Sequence, residues 1–106
     1  MVNREIIEII NCYLREISKK GILITKAFLY GSYARGAATE DSDIDLLLIS
    51  PLFEERNDKL HAQLWLIAAD VNYKIEPHAV GEKKFLDDDY SPLLETVRQE
   101  GIEIIF

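Results

Sequence analysis

The residues of this chain that can do chemistry gather in one stretch, GSYARGAATEDSDIDLLLI, from Gly31 to Ile49. Gly31 and Ser32 come first. After ten more residues stand Asp43 and Asp45, one residue apart, at the mouth of an apolar run. On a strand the two aspartates point to one face, about 7 Å apart at the backbone. At about 6 Å and an effective dielectric of 20, two carboxylates repel by roughly 3 kcal/mol. Burial without compensation drives one of them to take up a proton. A divalent cation removes the conflict. Hard oxygen ligands suit magnesium or manganese, which bind through a few carboxylates plus substrate phosphates. Gly31 lets the backbone come close to a ligand, and a strand-to-helix turn after it aims free N–H groups at an anion. Ser32 adds a hydroxyl. Arg35, one helical turn on, reaches a phosphate or holds the loop. The pattern suits a phosphate chain resting on Gly31–Ser32 with its metal on Asp43 and Asp45. Taken singly, a Gly-Ser pair is a turn and an Asp-x-Asp is a pair of loop carboxylates. Their combination beside a buried run has few such explanations.

Those residues need elements to place them. Ile6, Ile7, Ile10, Tyr13, Leu14 and Ile17 recur at spacings of three and four, which predicts an amphipathic helix over residues 3–19. Asn3 suits its start, Lys19 and Lys20 its negative end, and Gly21 the turn after it. β-Branched and aromatic residues predict a strand over 25–30. Ser32 is expected to cap a short helix through Tyr33, Ala34 and Arg35, which Gly36 stops. Residues 37–42 read as a polar loop. Residues 44–49, apolar on both faces, read as a central strand that Ser50-Pro51 breaks. A second long helix is expected over 55–69, with Leu60, Leu64, Ile67 and Ala68 inward and Trp65 flanking them in the core. A third strand is expected over 71–80, where Pro77 argues for an edge position or an end to the pairing. Ser91-Pro92 begins a helix by cap and first-turn proline, Gly101 ends it, and residues 102–106 form a last short strand. The alternation of helices and strands predicts an α/β (α+β) fold, a small mixed sheet covered by helices. One domain over residues 1–106 is expected, for the chain is long enough for one modest core and not for two.

The string GSYARGAATEDSDIDLLL closely resembles the signature of the DNA polymerase β-type nucleotidyltransferase superfamily, in particular its minimal branch, the MNT domains. The N-terminal helix, the strand into Gly31 and the ending SPLLETVRQEGIEII are similar as well, so the resemblance spans nearly the whole chain. It implies a two-metal nucleotidyl transfer at an α-phosphate with pyrophosphate as the leaving group. Gly31 and Ser32 would hold the triphosphate tail of ATP, with Arg35 beside them. Asp43 and Asp45 would ligate both magnesium ions, or manganese. A third carboxylate on a later strand would ligate only the metal that activates the attacking hydroxyl. Glu76, in YKIEPHAV, is the best candidate, because it alternates with Ile75 and Pro77. Lys74 shares its face and pairs with it or with phosphate. The resemblance also implies a partner: a small helical HEPN-family protein, a toxin whose tyrosine would receive AMP. The chain would then be the antitoxin of the pair.

Composition sets bounds on these readings. The formal net charge of −7 disfavours nonspecific nucleic-acid binding, which needs Lys and Arg facing phosphate, and disfavours an anionic membrane surface. It suits a metal, a metal-bound nucleotide or a basic protein partner. Cys12 is the single cysteine, which excludes an internal disulfide and a cysteine zinc cluster; its place in the helical pattern reads as small and core. The longest apolar run is far too short to span a bilayer, and the N-terminus lacks a signal-peptide pattern, so a cytoplasmic protein is expected. Asp87-Asp88-Asp89 reads as a solvated loop, His61 as exposed, and His78 as a surface residue or the edge of the site. Tyr33 packs beside a nucleotide or covers the core. Two other functions fit the residues. One is a non-catalytic module that binds its partner or a nucleotide without turnover. The other is nucleotidyl transfer to a small molecule, whose enzymes usually carry an acceptor domain not seen here.

Overall fold

A computed structural model describes residues 2–88 and 90–106. Along the chain run α1 (Arg4–Lys19), β1 (Lys26–Tyr30), α2 (Ser32–Arg35), β2 (Ile44–Ile49), α3 (Asp58–Val71), β3 (Ile75–Val80), α4 (Glu82–Asp87), α5 (Pro92–Glu100) and β4 (Ile102–Glu103). The four strands form one sheet in the order β3-β2-β1-β4. β2 runs antiparallel to β1 and parallel to β3. A parallel neighbour needs a long crossover, and α3 supplies it.

The two apolar faces of β2 explain the layers. Ile44, Leu46 and Leu48 join Ala27, Leu29 and Ile75 beneath α1 and α3, where Ile10, Tyr13, Ile17, Leu64 and Ala68 are buried. Leu47 and Ile49 join Tyr30 and Val80 on the other face, beneath Leu94 and Val97 of α5. This alternation decides which face each strand residue serves. Pro77 lies on the edge strand, where its missing N–H costs no ladder bond on the solvent side.

Several boundaries differ from the sequence reading, each for a local reason. Asn57 caps α3 by accepting from the Leu60 N–H at 3.0 Å, so the helix starts at Asp58 rather than at residue 55. Ser50 instead caps a 3-10 turn over Pro51–Phe53. β3 starts at Ile75 rather than at residue 71, because Val71 still belongs to α3 and Asn72 closes a turn by accepting from the Lys74 N–H. Lys74 therefore precedes the strand instead of sharing its face. A short helix not expected from the pattern, α4, takes in Asp87, which is therefore not in a loop. Asp88 follows that helix and accepts from the N–H groups of Tyr90 and Ser91; Asp89 lies outside the described residues. The last strand is two residues long, not five. Trp65 is 43% exposed, so it is not a core residue, and Cys12 is half-buried at the rim of α1 and α3. Both sit one position off the stripe that faces the sheet.

Tyr13 ties the two long helices together. Its hydroxyl is buried and donates to the Leu64 carbonyl at 2.9 Å. Tyr13→Phe keeps the ring and removes this bond. Urea unfolding should show a loss of about 1 kcal/mol, the worth of a typical buried hydrogen bond. A variant as stable as the wild type would show that the bond contributes nothing.

Candidate active site

The site lies where β1, β2 and β3 begin or end together. Pairing places Tyr30, Asp45 and Glu76 in one row across the sheet, with Asp45 in the middle. Asp45 shares the parity of Leu47 and Ile49, and Glu76 that of Val80, so both carboxylates face the α5 side. Asp43 immediately precedes β2 and is exposed, whereas Asp45 is half-buried. Pairing thus sets Asp45 and Glu76 side by side on one face, while Asp43, just outside the strand, acts on Asp45 through its charge.

Their electrostatics follow from that crowding. The Asp45 carboxyl is pushed up to about 6, first by burial, then by a hydrogen bond shared with Glu76 and by the charges of Glu76 and Asp43. The Arg35 guanidinium pulls the other way. Tyr30 is also raised, by burial and then by the charges of Asp45 and Glu76. His78, two residues along from Glu76, is half-buried rather than on the surface, with its ring centroid 6.1 Å from that of Tyr30. Burial holds it below its ordinary value, against the charge of Glu76.

Gly31 closes the site from the β1 end. It has φ +78° and caps α2, so Ser32 is the first helical residue and not the cap. A Cβ at Gly31 would collide with the Asp45 carboxylate. Only glycine permits both the backbone angle and this approach. The N–H groups of Ser32 and Tyr33 make no hydrogen bond among the described residues. Arg35 does not point at solvent alone: its Nη1 donates to Glu100 Oε1 at 3.0 Å and Oε2 at 3.3 Å. Tyr33 packs partly against the core beneath α1. His61 is exposed on α3, and its charge adds to the lowering of His78.

A cation would find carboxylate oxygens only, which suits magnesium or manganese and not a sulfur- or imidazole-seeking metal. Among the described residues no three His, Cys, Asp or Glu side chains stand in a ready-made metal shell. The fit rests instead on chemistry: Asp45 and Glu76 are paired neighbours on adjacent strands, and their crowding raises the cost of the Asp45 charge, a conflict that a bound cation would relieve. Glu100 was not singled out in the sequence. Its signal there is weak: a helix-terminal glutamate ahead of Gly101.

A profile of the nucleotidyltransferase domain matches residues 7–104 of this chain. No curated protein gives a significant match. Solved structures do. A candidate nucleotidyltransferase from Sulfolobus solfataricus superimposes with a TM-score of 0.63 at 15% identity, covering 93% of this chain and 78% of that one. A toxin–antitoxin complex with AMP-PNP gives 0.61 at 16% identity, with coverage of 89% and 71%. A MntA–HpeT toxin–antitoxin structure gives 0.62 at 18%, with coverage of 90% and 70%. The shared fold is that of the polymerase β-like nucleotidyltransferases, and the chain belongs to the nucleotidyltransferase domain family.

Proposed function

We propose that this protein transfers a nucleoside monophosphate, AMP from ATP, to a hydroxyl on a partner protein. The observation that carries the reading is the row Tyr30–Asp45–Glu76, with Asp43 beside it and Gly31 pressed against Asp45. Asp43, Asp45 and Glu76 would hold two magnesium ions. When bound, these neutralise phosphate charge and lower the pKa of the acceptor hydroxyl. The protein's own part is placement. The turn at Gly31–Ser32 presents the Ser32 hydroxyl and two unused N–H groups to the triphosphate tail. Arg35, ion-paired with Glu100, holds the turn at that end. The hydroxyl oxygen attacks the α-phosphorus in line as its proton passes to water, the bond to the β-phosphate oxygen breaks, and pyrophosphate leaves.

The toxin–antitoxin neighbours, one of them with AMP-PNP, support a protein partner and an adenine nucleotide. We take the partner to be a HEPN-family toxin and this chain its antitoxin. The net charge of −7 suits docking on a basic, RNA-cleaving surface. Among the described residues no helix is long and apolar enough to cross a membrane; a cytoplasmic setting goes with ATP and magnesium as reactants. The lack of a ready-made metal shell favours a second reading, a module that neutralises its partner by contact alone.

Labelled ATP, magnesium and the product of the neighbouring gene separate the two. Transfer of label to that protein should fall on the order of a hundredfold or more with Asp43→Asn plus Asp45→Asn, the scale seen when a group that stabilises developing charge is removed. Glu76→Gln should behave similarly. Full neutralisation of the partner by the double variant, without label, would establish the contact-only reading.

Proton linkage gives an independent check. The folded pKa of Asp45 is raised above its ordinary 3.8 to about 6. Its favourable contribution is therefore complete below about pH 4 and lost as pH rises through about 6. Asp45→Asn should match the wild type near pH 4 and become the more stable of the two by pH 7.5, in metal-free buffer. Magnesium at pH 7.5 should raise the melting temperature of the wild type and not of the variant. A stability difference that stays flat across this range would remove the crowded carboxylates from the account.

A further inference from the structure

Glu100 ends α5, far along the chain from the residues discussed so far, yet its carboxylate meets the site. Oε1 accepts from the Gly31 N–H at 3.3 Å and from Arg35 Nη1 at 3.0 Å. Oε2 accepts from the same Arg35 nitrogen at 3.3 Å. The Glu100 side chain is only 21% exposed, against 52% for Arg35. Gly101 fixes where it stands, for a Cβ there would collide with the Val97 carbonyl, so the chain turns tightly off the helix at this point.

We infer that Glu100 is a positioning residue for the nucleotide-binding turn. The inference rests on the proposed nucleotide reading and deepens it. Gly31 is held between two carboxylates. Asp45 meets its Cα side and Glu100 takes its N–H. The bond keeps the turn at its positive φ and fixes the path of the chain into Ser32. The ion pair sets Arg35 beside the same turn. A plug that competes with phosphate is the other reading of a carboxylate near an anion site. The N–H groups argue against it. Glu100 uses that of Gly31 and leaves those of Ser32 and Tyr33 unbonded among the described residues. The negative charge is matched by Arg35, so it adds little repulsion toward a triphosphate. Glu100 touches no reacting atom and acts through Gly31 and Arg35.

The test uses the full chain and isothermal titration with Mg–AMP-PNP. Glu100→Ala should weaken binding about tenfold, the scale of a lost charge-assisted contact. Glu100→Gln keeps an acceptor for the Gly31 N–H and should lose less. Both should retain the rise in melting temperature caused by magnesium alone, because the three carboxylates of the site are untouched. A merely structural role would reduce both responses together. In the Glu100→Ala protein the Gly31 amide resonance should move and exchange with solvent faster. The double variant with Arg35→Ala should lose less than the sum of the two single losses, since the residues act as a pair. Equal binding by wild type and Glu100→Ala overturns the inference and leaves the nucleotide reading intact. Tighter binding by Glu100→Ala would make Glu100 a plug. A wild type that binds no nucleotide ends both.

Discussion

Asp45 is the point on which the site turns. Its carboxylate sits on the central strand, with Glu76 paired beside it on β3 and Gly31 pressed against it from β1. Every neighbour raises the cost of its charge, and only Arg35 offsets it. A side chain in that position is stable with a proton or with a cation. A change in the Asp45 carboxylate reaches Gly31 by contact rather than through a chain of intermediates.

The sheet makes this arrangement stiff. β2 is apolar on both faces, so helices must cover both, and a one-residue slip would exchange the two cores. The same register that seats Leu46 and Leu48 under α1 and α3 seats Asp45 beside Glu76. Packing of the core thus determines the geometry of the carboxylates. Tyr13 and Leu64 lock the two long helices on one face, while α5 covers the other and delivers Glu100 to the far side of Gly31. Both helical layers end up serving the site, one through register and one through a side chain.

The sequence disclosed what depends on local chemistry. The period of Ile6 to Ile17 and the apolar run 44–49 each specify their structure with little help from elsewhere, and the structure follows them closely; the Gly-Ser pair marks the strand-to-helix turn, with Gly31 rather than Ser32 as its cap. Glu76 was placed by its alternation with Ile75 and Pro77, and the parallel register brings it to Asp45. What stayed hidden depends on long-range contact. The closeness of Glu100 to Gly31 arises from the way α5 crosses the sheet, which no periodicity encodes. Trp65 and Cys12 lie outside the core because each is one position off the buried stripe, where a helical pattern of about 100° per residue decides poorly. α4 stays hidden because a helix of six residues, EKKFLD, carries too short a pattern to stand out from a charged loop.

Asp43 and Asp45 are the same residue, one apart, and the fold makes them different. Asp43 follows a self-contained loop. Within it the Thr39 N–H donates to Ser42 Oγ at 2.8 Å and the Ser42 N–H to the Thr39 carbonyl at 3.1 Å. That loop keeps the chain close to the sheet without burying it, so Asp43 faces solvent. Asp45 is inside the strand and half-buried. The two environments suit different roles. An exposed carboxylate can meet an incoming cation with little desolvation. A buried one binds only when a counter-charge arrives, and then holds it more firmly because water screens less there. A pair with both residues exposed would bind weakly, and a pair with both buried would stay protonated. In the proposed metal centre, one of each at the end of a central strand would be reachable and also firm.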